Sequence, residues 1–166
     1  MWSLTRKIIL LPGTVLVFVP AILVFLTKDT MFAVELLSPN NIFFWIAIIF
    51  GLFGILIAIW TVTLFVKIGK GTPAPWEPPQ KLVVRGPYRH VRNPMLTSVF
   101  LMLTAESILL QSLPIAAWMA FVIIANLIYM PLIEEKGLEK RFGEEYKIYK
   151  KHVPRWIPRL TPWKPN

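Results

Sequence analysis

Two short clusters in this chain hold the residue types that could do chemistry. Glu134 and Glu135 are adjacent acids that end an uncharged run of 21 residues, Leu113–Ile133. Neighbouring carboxylates repel each other unless a cation sits against them. They therefore read either as a cation-binding pair or as the acidic first turn that a helix N-terminus favours. The second cluster is Lys81-Leu82-Val83-Val84-Arg85-Gly86-Pro87-Tyr88-Arg89-His90-Val91-Arg92-Asn93-Pro94. Gly86-Pro87 is a turn, and Asn93-Pro94 is a helix start with Asn as cap and Pro at the first position. The free N–H groups of such a start suit a carboxylate or another acceptor-rich ligand. A third acid, Glu106, lies inside an apolar stretch; it is a functional candidate, with pairing to Gln111 or snorkelling to the outer interface as the structural account.

Composition removes several chemistries. With 0 Cys there is no disulfide, no thiolate metal site and no Cys nucleophile, and 2 His cannot build a three-His zinc site. No metal site is expected. The 166 residues are 55% hydrophobic and 16% charged, where soluble domains run near 25% charged. The chain is basic, with 18 Lys+Arg against 9 Asp+Glu. The pattern predicts an all-α integral membrane protein.

The elements that must position the clusters are apolar spans. Ile8–Leu26, Ile42–Val66 and Leu113–Ile133 contain 19, 25 and 21 uncharged residues. At 1.5 Å per residue they reach roughly 28, 37 and 31 Å, against a hydrocarbon core of about 30 Å. Met95–Leu110, 16 residues with Glu106, is shorter and pairs with the last span through Gln111-Ser112-Leu113-Pro114 as a helical hairpin. About four transmembrane helices result, the last two a hairpin. Pro12, Pro20 and Pro131 predict kinks or loosened turns within them. Arg6-Lys7 before the first run also fits a signal peptide, but no small-residue cleavage site follows, so a retained span is expected. Seventeen of the eighteen basic residues fall in segments on one side, with Lys28 alone on the other. By the positive-inside rule both termini and both polar segments face the cytoplasm. The charge is explained by anionic headgroups, and no nucleic-acid partner is expected.

Each cytoplasmic segment has its own texture. Gly69, Gly71, Pro73, Pro75, Pro78 and Pro79 make a stiff, extended linker. Beyond Glu134-Glu135, Leu138, Phe142, Tyr146 and Tyr149 form one apolar stripe, with Lys136, Lys140, Lys147 and Lys150 off it. That predicts a C-terminal amphipathic helix on the membrane surface. The implied division is 1–66, two N-terminal transmembrane helices, and 67–166, a core made of cytoplasmic loop, hairpin and amphipathic helix.

Taken together, Lys81-Leu82-Val83, Gly86-Pro87-Tyr88-Arg89-His90-Val91-Arg92-Asn93-Pro94-Met95, Glu134-Glu135-x-x-Leu138, Phe142-Gly143-Glu144-Glu145-Tyr146-x-x-Tyr149 and Val153-Pro154-Arg155 resemble the isoprenylcysteine carboxyl methyltransferase / phospholipid methyltransferase family of integral membrane enzymes. The resemblance covers about Gln80–Pro158. It implies S-adenosylmethionine-dependent methyl transfer to a lipophilic acceptor, a small molecule or lipid, at the cytoplasmic membrane surface. Position by position, it implies cofactor contacts from Gln80, Lys81, Leu82, Val83 and Tyr88. Asn93, Pro94, Met95 and Leu96 match a further cofactor-lining stretch. Glu134, with Glu135 beside it, matches the acid for the methionyl end. The cofactor's ammonium would face these acids, and its carboxylate would face Lys81, Arg85 or the helix start at Asn93.

Three positions depart from the resemblance. Asn93 replaces a His, Leu96 replaces a Tyr, and Met130 stands where the prenylcysteine enzymes carry an Arg for the substrate carboxylate. A desolvated carboxylate acceptor needs a cation, and Arg155 is the fixed candidate, although it reads first as a headgroup contact. An amine- or thiol-bearing lipophile is therefore the expected acceptor, with His90 as the candidate proton acceptor. Two other readings stay open. One is a reductase-like relative binding a nicotinamide cofactor; the other is a non-catalytic membrane protein that retains the fold.

Overall fold

The computed structural model describes residues 12–70 and 79–165. Arg6, Lys7, the start of the first predicted span and the Gly71–Pro78 part of the linker lie outside the described residues. All regular structure among the described residues is helical. We label the α-helices α1 (Val19–Thr27), α2 (Ile42–Leu64), α3 (Pro94–Leu109), α4 (Leu113–Tyr129) and α5 (Glu135–His152).

Prolines loosen the helices where the sequence predicts it. A π-turn, Thr14–Phe18, runs directly into α1 ahead of Pro20, and a second, Met130–Glu134, contains Pro131. Proline lacks the N–H that would close the normal turn, and a wider turn is one way to absorb that loss. A third π-turn, Phe65–Gly69, extends α2, and Lys70 stops it in the left-handed region at φ 50°. The helical runs Ile42–Gly69 and Leu113–His152 are each long and apolar enough to cross a membrane. The best window of the first has a mean hydropathy of 2.9 with only 11% of it buried, which is not how the core helix of a soluble protein looks. Thr14–Thr27 and Pro94–Leu109 are apolar but shorter.

The chain divides into two compact units, Met1–Leu56 with Ser98–Ile124, and Ile57–Thr97 with Ala125–Asn166. In the first, helices meet through small residues: a Cβ at Gly54 would lie 2.8 Å from Met102 Cγ and 3.0 Å from Ser98 O, so only glycine admits that approach. Thr104 Oγ1 lies 3.1 Å from Met119 Sδ across the hairpin, and Trp118 Nε1 donates to Val15 O. The hairpin turns tightly, with Gln111 at φ 45° and Ser112 Oγ accepting from Ile115 N. The connecting segment after α1 lies against that turn, where Glu35 N and Leu37 N donate to Leu110 O and Leu109 O.

In the second unit the stripe on α5 faces protein. Tyr146, Tyr149 and Val153 form a buried cluster against which Leu82, Val84, Leu138, Phe142 and Trp163 pack. Lys136, Lys140 and Lys147 are exposed as expected. Lys150 is not free on the outer face but pairs with Glu135 and Glu139. Gly143, at φ 55° and ψ −129°, breaks α5 after Phe142.

Candidate functional site

The site grows from one buried carboxylate. Glu135 is 1% exposed at the start of α5, directly after the π-turn around Pro131. Arg155 reaches back from beyond α5, its Nε donating to Glu135 Oε1 at 2.6 Å and its Nη2 to Oε2 at 2.9 Å. Arg92 Nη1 lies 2.8 Å from Oε1, and Lys150 Nζ lies 3.3 Å from Oε2. Burial alone would raise the Glu135 carboxyl. The Arg155 hydrogen bonds and the charges of Arg92 and Arg155 outweigh it and hold the group below the usual carboxylate range. Glu135 is thus a fixed anion bound by three protein cations. The expected headgroup role of Arg155 gives way to this bidentate pair, because a fork-shaped guanidinium matches a carboxylate better than a wet headgroup does.

Around the ion cluster lies a set of tyrosines. Tyr146 is buried, and burial with the nearby Glu135 charge pushes its hydroxyl up to about 12. Tyr149 OH donates to Tyr88 O at 2.7 Å. Burial, and then Tyr149, raise the Tyr88 hydroxyl well above its ordinary range, so it remains a proton donor. Tyr88 sits in a short 3₁₀ turn, Gly86–Arg89, and packs against Phe65 with ring centroids 5.4 Å apart. Gly86 makes this possible: its φ is 55°, and a Cβ there would lie 2.9 Å from Trp60.

The chain's end closes over the same segment. Arg92 N donates to Pro154 O, Arg159 N to His90 O, and Trp163 N to Arg89 O. His90 Nδ1 lies 2.8 Å from Arg159 O. A carbonyl oxygen can only accept, so Nδ1 carries the proton and the neutral ring presents Nε2 as its lone pair.

The predicted site residues divide between this centre and its surroundings. Tyr88, His90, Asn93 and Glu135 come together with Arg92 and Arg155. Pro94 is buried at the start of α3, followed by half-buried Met95 and Leu96. Asn93 stands directly before α3, and its carbonyl accepts from Thr97 N and Thr97 Oγ1. Its side-chain N–H reaches towards Arg155 O at 3.5 Å. Val83 is buried and Leu82 packs on the tyrosine cluster, whereas Gln80 and Lys81 are exposed and tied by backbone to Gly69 O. Glu134 points elsewhere than Glu135: its Oε2 is 3.5 Å from Tyr129 OH, and it is only half-buried.

The arrangement suits S-adenosylmethionine on one structural ground. Tyr88 OH and Arg92 Nε are buried without a hydrogen-bond partner among the described residues. Buried donors are normally satisfied, so these two call for acceptors from a ligand, and a carboxylate and a nucleoside supply both. Glu134 accepts from Tyr129 OH at 3.5 Å and is half-buried, so its carboxylate stays open to an ammonium. Sequence reasoning missed Arg92, Arg159 and Trp163. The multiple basic residues of the 81–92 segment were visible, but nothing in their spacing marked which one would be buried.

Neither the curated proteins nor the solved structures compared with this chain gave a match. The sequence profile of the phospholipid methyltransferase family matches residues 42–145, from the start of α2 to within α5. That is well over half of the chain, it contains the Tyr88–Glu135 centre, and it accords with the long apolar helices. The chain belongs to the phospholipid methyltransferase family and is a membrane methyltransferase.

Proposed function

We propose that the chain transfers a methyl group from S-adenosylmethionine to the amine head of a membrane phospholipid at the cytoplasmic surface. The observation that carries this is the buried pair of donors, Arg92 Nε and Tyr88 OH, that have no partner among the described residues, beside a carboxylate already neutralised by protein cations. Four spans with both termini inside, the apolar pair 1–66 and the core 67–166 complete the reading, supported by the charge asymmetry of the sequence.

When bound, S-adenosylmethionine supplies an electrophilic methyl on a sulfonium. Arg92 holds the cofactor's carboxylate, Glu134 its ammonium, and Tyr88 an acceptor of the nucleoside. Leu82, Val83 and the first turn of α3 (Pro94, Met95, Leu96) give apolar walls, with Gln80, Lys81 and Asn93 at the margin. Glu135 acts on the site indirectly, by fixing the guanidinium of Arg92. His90 takes the proton that an ammonium head must lose before its nitrogen can attack, and its bond to Arg159 O keeps Nε2 ready to accept. Arg155 is committed to Glu135, so it is not available to hold an acceptor carboxylate, which favours an amine acceptor over a prenylcysteine. Orientation beside the bilayer and exclusion of water supply most of the remaining acceleration.

Isothermal titration of the purified protein with S-adenosylhomocysteine tests the reading. Saturable binding that weakens in Arg92→Ala supports it. No binding, or binding of a nicotinamide dinucleotide instead, overturns it.

A further inference from the structure

The first unit contains an acid with one oxygen that has no partner among the described residues. Glu106 Oε2 on α3 is buried and has no hydrogen-bond partner among the described residues. Gln111, the partner expected from sequence, donates its amide to Glu35 O instead. Lys28 is held near Asp29 at 3.9 Å and over the Phe25 ring at 4.9 Å. Glu106 and Lys28 line a groove of about 500 Å³ whose other walls are apolar side chains of the first helix, including Val17, Ala21, Val24 and Phe25, and Leu110 of the hairpin turn. Its volume is that of a small-ligand site. Val17 and Phe25 are 61% and 66% exposed, so its walls are open to whatever surrounds the helix. In a membrane protein, that is lipid.

Leaving a buried carboxylate oxygen unpaired costs several kcal/mol in an apolar setting, which makes the groove a place where a donor is missing. A donor offered from the bilayer has to be the head of a lipid. An ammonium bearing N–H bonds satisfies both the charge and the hydrogen bond, whereas a trimethylammonium satisfies only the charge. We propose that this groove binds an amine-bearing phospholipid, its ammonium donating to Glu106, its phosphate near Lys28 and its chain along Val17, Ala21 and Val24. The site shares no residue with the Glu135 centre and does not depend on the reading of that centre as a methyl-transfer site. It discriminates lipids by whether the head still has N–H groups.

Photolabelling of the full chain in mixed micelles tests this, using phosphatidylethanolamine and phosphatidylcholine that carry the same diazirine-bearing chain, with labelled residues mapped by mass spectrometry. Phosphatidylethanolamine is expected to label residues 16–25 and Leu110 about tenfold more than phosphatidylcholine, the discrimination one charge-assisted hydrogen bond supplies. Glu106→Leu is expected to bring the two lipids to parity there. Ala21→Phe, which fills the groove from its exposed wall, is expected to lower labelling by both lipids. Glu134→Gln leaves the pattern unchanged, so a failure of the proposed active site does not mask the result. Equal labelling of the wild-type groove by the two lipids, or a preference that survives in Glu106→Leu, overturns the proposal. So does labelling by both lipids that survives in Ala21→Phe.

Discussion

Glu135 and Glu106 are acids with oxygen atoms buried in the two compact units, and their surroundings are opposite. Glu135 is ringed by Arg155, Arg92 and Lys150. Glu106 has one oxygen with no partner among the described residues. The first is a fixed charge that organises its neighbours: it binds the end of the chain to the segment before α3 and leaves one face of Arg92 unsatisfied. The second gathers no such ring of cations among the described residues. A buried acid whose partners all come from the chain belongs to the architecture, while one that lacks them marks where a ligand is needed.

The sharpest way to break this comparison is to remove each acid. Glu135→Leu strands buried Arg92 and is expected to cost roughly 3–5 kcal/mol, read as a large fall in unfolding temperature in detergent. Glu106→Leu removes an unpaired group and is expected to leave stability unchanged or to raise it. Equal losses would show that Glu106 is as structural as Glu135. Acid sharpens the same contrast. Because the folded-state pKa of Glu135 is lowered, its contribution is present above the unfolded value, about 4.3, and is lost as pH falls below it. Melts recorded between neutral pH and pH 3 are expected to fall more steeply in the wild type than in Glu135→Gln. Parallel slopes would contradict that.

Cofactor affinity gives the next effect in size. Glu134→Gln is expected to weaken S-adenosylmethionine binding by roughly 1.5–3 kcal/mol, the range for hydrogen bonds to charged groups. Glu106→Gln should leave that affinity unchanged by titration calorimetry, and an equal loss in the two variants would place the cofactor elsewhere. The smallest effect concerns the chain's end. Trp163 stacks on His152 with ring centroids 5.2 Å apart and lies 6.0 Å from Tyr149. Trp163→Leu keeps apolar bulk but loses the ring contacts, for an expected cost of about 0.5–1.5 kcal/mol. A thermal melt identical to the wild type would show that the terminal segment does not brace the Glu135 centre.

Much of this was legible in the sequence, for particular reasons. Apolar runs identify helices whatever their neighbours do, so Ile42–Leu64 and Pro94–Leu109 were expected to within two residues, while the run Leu113–Ile133 divides into α4, Leu113–Tyr129, and the π-turn that follows it. Pro131 likewise announced its loosened turn. The stripe of Leu138, Phe142, Tyr146 and Tyr149 was legible as a stripe, but its partner was not: periodicity reports that a face is apolar and says nothing of whether lipid or protein covers it. The partners of Glu135 come from residues 43 positions before it and 20 after it, and only the fold brings Arg92 and Arg155 to one carboxylate. The hold of Arg159 on His90 was invisible for the same reason, since a backbone carbonyl leaves no mark in sequence. Asn93 was legible as the residue that precedes a helix starting at Pro94, but the reach of its amide towards Arg155 O was not.

The central claim is amine methylation at the Glu135 centre, and methyl transfer to paired acceptors tests it most directly. The purified protein is incubated with S-adenosylmethionine labelled in its methyl group and with vesicles carrying either phosphatidylethanolamine or a prenylcysteine under identical conditions. The label is expected on the phospholipid amine, with transfer reduced about 100-fold or more in His90→Ala, the lower end of what a proton acceptor contributes. Faster transfer to the prenylcysteine carboxylate, undiminished in His90→Ala, would contradict it.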